Sequence, residues 1–182
     1  MSDTPRIYVA SLMDYNAGIL HGRWIDCDNG EDYIWEEIRA MLAESPEAAS
    51  DFSKRYGMVA EEWAIHDYEG FAPLELSEYE DISRVARIGA IASGYGTAFL
   101  AWMSQDSSRE PEEEAFEDAR YGEYSSWQDY AYQYVDDMGL EKSVENLGPY
   151  VTIDYDGIIR DAKIEYDYYE ADDGTLYIYH NS

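Results

Sequence analysis

The chain has 182 residues, with 40 Asp and Glu against 12 Lys and Arg, and a formal net charge of -28. It also carries 19 Tyr, 5 Trp and 4 Phe, and 46% of its residues are apolar. Acidic chains that lack aromatics stay disordered because they have too little apolar surface to offset the entropy of ordering. This composition instead predicts a folded protein. Its charge argues against direct nucleic-acid binding and favours a basic partner.

Cysteine usage and hydropathy indicate the compartment. Cys27 is the only cysteine, which excludes an internal disulfide and suits a reducing environment. The opening MSDTPRIYVASL lacks the basic start and long apolar run of a secretory signal. No run reaches 18 consecutive apolar residues, and an anionic surface is repelled by acidic lipids. We therefore expect a soluble cytoplasmic protein with no membrane partner.

The pattern predicts an α+β fold in three small parts: 1–62, 63–104 and 105–182. In the first part, β-branched and aromatic residues predict a strand over Arg6–Leu12 and a second strand within Ile19–Asp26. Glu62–Tyr68 is a third strand or an extended lead into the next part. A helix ends at Ser45-Pro46, and its apolar face recurs at i, i+4, i+7 and i+8: Ile34, Ile38, Met41 and Leu42.

The middle part is predicted to be helical. Ser77 followed by Glu80 has the spacing of a capping box, which predicts that a helix begins there. Its apolar face continues through Ile82 and Val85. After Gly96, a second short helix is expected to pack on the first.

The third part is predicted to be α+β. Proline followed by a run of acids, Glu112 to Asp118, is typical of a helix amino terminus, where the helix dipole favours negative charge. Another helix is predicted from Ser126 to Met138, ending at Gly139. Asp172-Asp173-Gly174 between two aromatic runs predicts a terminal hairpin.

Signals for catalysis, metals and cofactors are weak. Carboxylates are too frequent for any pair to identify a general acid and base, and no nucleophile, P-loop or dinucleotide motif occurs. The segment 26–32 resembles a calcium loop, but Gly30 falls at position 5 instead of 6, which favours a plain turn. His21, His66 and His180 are too scattered for a zinc site. We predict no enzyme activity, no metal and no cofactor.

The charge itself is the strongest functional signal. Duplex DNA carries one negative charge per about 1.7 Å, so the net charge of one chain equals that of roughly 14 base pairs. Acids on neighbouring helical turns lie about 5 to 6 Å apart, close to the phosphate spacing of a strand. Acid clusters on predicted helices form the candidate DNA-mimic surface: Glu36, Glu37, Glu78, Glu80, Asp81, Glu112, Glu113, Glu114, Glu117, Asp118, Asp136 and Asp137.

Three stretches carry a family resemblance. They are RIYVASLMDYNAGILHGRWID, then EEWAIHDYEGF followed by LSEYEDI, and finally IDYDGIIRDAKIEYDYYEADDGTLYIYHN. In this order they resemble the ArdA antirestriction proteins, which conjugative elements carry. The resemblance implies an elongated, three-part homodimer that imitates bent DNA and occupies the DNA-binding groove of type I restriction and modification enzymes.

The resemblance also places the family's antirestriction motif, a tyrosine-rich run ending in Arg-Asp, on Tyr150 to Asp161. Gly157-Ile158-Ile159 departs from the family pattern of aromatic and alanine residues. The motif lies near the family's dimer contact. This implies a role in the dimer contact for Ile153, Tyr155, Ile158 and Arg160. The residues of the motif or the dimer contact are together Tyr150, Ile153, Asp154, Tyr155, Ile158, Arg160 and Asp161.

Two other classes of protein fit an acidic composition. A protein adapted to high salt solvates itself with carboxylates without aligning them, and it would lose its fold in low salt. A general acidic binder of basic proteins would take up histones or polycations as readily as a restriction enzyme.

Overall fold

The computed structural model describes residues 4–145, 147–148 and 150–181. The chain divides into two compact units, Met1–Glu113 and Glu114–Ser182. Each unit contains one three-stranded antiparallel sheet together with helices, which confirms the predicted α+β class. The finer division into three parts, with boundaries at residues 62 and 104, stays a prediction, as does the elongated shape.

The first sheet has the order β2-β1-β3, formed by β1 (Arg6–Ser11), β2 (Gly22–Asp26) and β3 (Trp63–Glu69). Both outer strands pair antiparallel with β1. As the central strand, β1 is largely buried, and the side chains of Ile7 and Val9 are fully inaccessible. The two predicted strands are confirmed, and the segment that begins at Glu62 supplies the third.

Helices complete the first unit. The predicted helix is confirmed as α2 (Glu31–Ala43), which buries Ile34, Ile38 and Met41. The two predicted helices of the middle segment are α4 (Ile82–Tyr95) and α5 (Thr97–Ser104). Two short helices were not predicted: α1 (Leu12–Asn16) and α3 (Asp51–Tyr56).

The start of α4 differs from the prediction. Ser77 and Glu80 do interact, since the Ser77 amide donates to Glu80 Oε2 at 3.2 Å, but they lie in a turn before the helix. Asp81 caps the helix instead, because its Oδ1 accepts from the amides of Ser83 at 2.8 Å and Arg84 at 3.1 Å. An aspartate immediately before the apolar run therefore sets the helix start.

The second unit packs two helices, α7 (Trp127–Asp137) and α9 (Tyr155–Glu165), against a sheet of order β4-β6-β5. The strands of this sheet are β4 (Arg120–Tyr124), β5 (Tyr166–Glu170) and β6 (Leu176–His180). The predicted hairpin and helix are confirmed, and α7 ends just before Gly139, which adopts a left-handed φ of 61°. Its core contains Tyr130, Ala131, Ala162, Leu176 and Ile178. Two further helices are α6 (Glu113–Ala119), which begins at the last residue of the first unit, and α8 (Leu140–Glu145). Of these strands and helices, β4, α8 and α9 were not predicted.

In the part of the chain that the structure describes, no helix is long and apolar enough to cross a bilayer.

A close helix contact in the first unit gives a testable prediction. A Cβ at Gly89 of α4 would lie 2.5 Å from the Cys27 carbonyl oxygen, whereas no described atom lies within 4 Å of a Cβ at Gly94 on the same helix. Gly89→Ala should therefore lower the free energy of unfolding by about 1 to 3 kcal/mol. The matched change Gly94→Ala should raise it by about 0.5 to 1 kcal/mol, since alanine is the better helix former. Urea unfolding midpoints measure both, and equal effects would contradict the packing.

Candidate functional site

Negative charge is a property of both units. The first unit, residues 1–113, carries 23 acids and 8 bases, a net charge of -15. The second unit, residues 114–182, carries 17 acids and 4 bases, a net charge of -13 over fewer residues. The negative charge of the protein is therefore not confined to one of the two units.

Most of the predicted surface acids do face solvent. The exposed ones are Glu36, Glu78, Asp81, Glu112, Glu113, Glu114, Glu117, Asp118, Asp136 and Asp137. The other two, Glu37 and Glu80, are half-buried.

Arginines of the first unit neutralise these two half-buried acids. Arg23 Nη1 lies 2.7 Å from Glu37 Oε2, and its Nη2 lies 2.8 Å from Glu44 Oε2. The pKa of Arg23 is raised, first by the hydrogen bond to Glu37 and also by that to Glu44. Glu80 pairs with Arg84 at 3.2 Å. Glu37 and Glu80 therefore add little outward charge, which the sequence pattern alone did not reveal.

Helix α6 carries four exposed acids and one buried aromatic residue. Its four acids, Glu113, Glu114, Glu117 and Asp118, are exposed, while Phe116 is fully inaccessible. Two acid pairs have i,i+4 spacing, and each such like-charge pair disfavours a helix by about 0.2 to 0.5 kcal/mol. The helix dipole stabilises the negative charges of Glu113 and Glu114 at the amino end of the helix. The helix therefore holds closely spaced anions on its solvent side around one buried anchor.

Local hydrogen bonds fix the position and ionisation of several exposed acids. The Ser83 hydroxyl, followed by a backbone amide, lowers the pKa of Asp81. Asp106 is held in the same way by the hydroxyl and amide of Ser108, which lower its pKa. A backbone amide of the preceding turn lowers the pKa of Asp129. These carboxylates are therefore charged at neutral pH and held in defined places.

The motif segment contains a helix amino terminus. Asp154 caps α9, and its Oδ1 accepts from the Gly157 amide at 2.9 Å. Tyr155 and Ile158 are half-buried and pack against the core of the second unit. Tyr155 also contacts the Tyr132 ring, with centroids 5.1 Å apart. These motif residues therefore support the fold of the unit as well as any role in binding.

The remaining motif residues lie at or near the surface. Tyr150 is 97% exposed, and Ile153 is half-buried. Arg160 and Asp161 are exposed on α9. Within the described residues of its own chain, Arg160 makes no ion pair. The implied role of Arg160 in dimerisation stays a prediction.

An aromatic cluster supports the second unit. Tyr121 contacts the rings of Tyr130 and Tyr166, with centroids 6.1 and 4.7 Å apart, and Tyr124 packs edge-on against Tyr130 at 5.2 Å. Burial raises the pKa of Tyr124 to about 12. The tyrosines of this cluster therefore act as packing residues, and Tyr124 stays protonated at neutral pH.

The residues that were considered for metal binding make other contacts in the described part of the chain. The calcium-like segment forms a 3-10 turn over Cys27–Asn29, and the described residues contain no group of three or more metal-ligating side chains. His21 Nε2 lies 2.7 Å from the Met41 carbonyl oxygen. His66 packs edge-on against Tyr15, and His180 contacts tyrosine rings.

These features define a class of protein: a folded, strongly acidic α+β protein whose carboxylates mostly face solvent. Residues 7–177 match the family model of the ArdA antirestriction protein, so the chain belongs to that family. The resemblance predicted from the three stretches is confirmed. No curated protein matches the chain. Family membership makes it an antirestriction protein and implies an interaction with restriction enzymes.

Proposed function

We propose that the chain is a DNA mimic that occupies the DNA-binding groove of type I restriction and modification enzymes and inhibits them by stoichiometric occlusion. The observation that carries this proposal is the set of exposed carboxylates on a folded chain of net charge -28. Enzymes that grip duplex DNA do so with Lys and Arg side chains that neutralise phosphates. An array of fixed anions competes for the same side chains.

The arrangement of the acids supports mimicry over a diffuse charge effect. In α6, Glu114 and Asp118 are one helical turn apart, and side chains at this spacing lie about 5 to 6 Å from each other. Asp81 and Asp129 are held by local hydrogen bonds. A rigid array keeps its spacing on binding and so avoids the entropy cost of ordering the anions. Two chains would match the charge of roughly 28 base pairs.

Occlusion requires no bond-making step. We therefore propose a non-enzymatic inhibitor without a metal or cofactor, which does not itself bind nucleic acid. Because the proposed partner would meet DNA inside the cell, we propose that the chain acts in the cytoplasm.

We further propose a homodimer formed through the second unit. The segment before α9 and the outer face of α9 expose apolar side chains: Leu147, Tyr150, Val151 and Ile164 are 62%, 97%, 42% and 76% exposed. Ile164 lies one helical turn beyond Arg160, on the same side of α9. An apolar face next to a cation suits a contact with a second acidic chain, where pairing relieves local repulsion.

Restriction in cells tests the inhibition. In cells with a type I enzyme, expression of the chain should raise the survival of unmodified phage DNA. The triple variant Glu112→Gln, Glu114→Gln and Asp118→Asn removes closely spaced exposed anions at and just before α6 and should lower this protection by about tenfold or more.

The matched control is Glu61→Gln, Glu62→Gln and Glu75→Gln, which removes the same charge from exposed loop residues. It should retain most of the protection. Equal losses in the two variants would show that only net charge matters, and full loss from one neutral substitution in a folded protein would indicate a discrete catalytic or docking site.

Sedimentation tests the dimer. Ile164→Asp places a charge on the proposed contact face and should shift the chain from dimer to monomer. Leu20→Asp, at a position that is 89% exposed in the first unit, is the same kind of change away from the contact and should leave the dimer intact. A monomeric native chain at micromolar concentration, or a dimer that both variants retain, would contradict the proposed contact.

A further inference from the structure

One cation of the second unit lies in an aromatic site. Lys163 Nζ is 4.8 Å from the centroid of the Trp127 ring and 5.7 Å from that of Tyr168. Its third neighbour is Glu170, whose Oε1 is 3.8 Å away. Two ring faces and a carboxylate are the groups that proteins use to bind ammonium and guanidinium ions.

The walls of this site are held together without the lysine. The rings of Trp127 and Tyr168 meet edge to face, with centroids 5.0 Å apart and an interplanar angle of 83°. Trp127 Nε1 donates to Glu170 Oε1 at 2.8 Å. Trp127 is the first residue of α7, whereas Tyr168 and Glu170 alternate along β5 and so project from the same face of that strand. Three side chains from two elements therefore form a preorganised site.

The resident lysine is weakly held. Its side chain is 39% exposed and that of Glu170 is 57% exposed, while Tyr168 is 40% exposed. A partly exposed cation–ring contact, or an exposed ion pair, favours the position of Lys163 inside the site over a position in solvent by only about two- to fivefold. A cation from outside can therefore displace Lys163, and water can reach the site.

We propose that Trp127, Tyr168 and Glu170 form a cation cage that accepts a lysine or arginine side chain of a partner protein, with Lys163 as its occupant in the free chain. The identity of the partner as a restriction enzyme rests on the function proposed above, but the cage itself does not. The surrounding net charge of -13 in this unit draws basic side chains towards it. The cage then binds one cationic side chain through its two rings and its carboxylate. A diffuse anionic surface offers no such specific contact.

A titration of the isolated chain tests the cage. Lys163→Met removes the cation from the cage while keeping an unbranched side chain that is one atom shorter. N-acetyl-lysine amide and N-acetyl-arginine amide are added in turn, and the indole N–H resonance of Trp127 is followed by NMR, with sodium chloride as the ionic-strength control. The resonance should shift saturably with one or both ligands, with a midpoint about two- to fivefold lower in the variant than in the native chain.

Two further variants keep the titration decisive. Lys142→Met removes an exposed lysine of α8 and should behave like the native chain. Adding Glu170→Gln to Lys163→Met should raise the midpoint again, since the amide can still accept from the indole but carries no charge. A linear drift equal to that in sodium chloride, or the same midpoint in all variants, would overturn the cage.

Inhibition of a type I enzyme then tests whether the cage binds a side chain of that enzyme. Lys163→Met and Lys142→Met change the net charge equally, so any difference between them reports the cage. Lys163→Met should lower the concentration for half-inhibition about two- to fivefold more than Lys142→Met. Equal inhibition by the two variants would overturn the proposed protein ligand. If the native chain does not inhibit at all, the proposed function fails, while the NMR titration still decides the cage.

Discussion

Burial of apolar and aromatic side chains must outweigh the mutual repulsion of the acids in this protein. The first unit meets this requirement with aliphatic packing between its central strand and helices, where Ile7, Ile34 and Ile88 are fully inaccessible. The second unit relies on tyrosines, whose rings pack around Tyr130. Because aromatic rings bury large areas, a few of them stabilise a small unit that carries a net charge of -13.

Ion pairs and uncharged hydrogen-bond donors stabilise different acids of this chain. Arg23 and Arg84 pair with half-buried glutamates, where an unpaired charge would be costly. Exposed acids such as Asp81 and Asp106 are instead stabilised by hydroxyl and amide donors, which carry no charge and leave the negative charge available to a partner. Other arginines, such as Arg6 and Arg87, pair with exposed acids, and most of the acids stay at the surface.

The sequence predicted the long elements because their signals are local. Apolar periodicity identified α2 and α7, and Asp172-Asp173-Gly174 identified the hairpin of β5 and β6. It missed α9, where Gly157 interrupts the helical pattern, and β4, a five-residue strand whose pairing with β6 is non-local. The exposure of most acids was predicted, but the pairing of Glu37 with Arg23 was not, because it depends on packing between β2 and α2. The cage around Lys163 likewise depends on packing, because Trp127 of α7 lies 43 residues before Glu170 of β5.

The central claim is that fixed surface anions compete with duplex DNA for one basic groove. Its most direct test is equilibrium displacement of a labelled duplex from a purified type I enzyme by this chain, repeated between about 50 and 500 mM salt. The account predicts mutually exclusive binding and an affinity for the enzyme that falls steeply as salt rises, as it does for DNA itself. A ternary complex of enzyme, duplex and chain, or an affinity unchanged over this range, would contradict it.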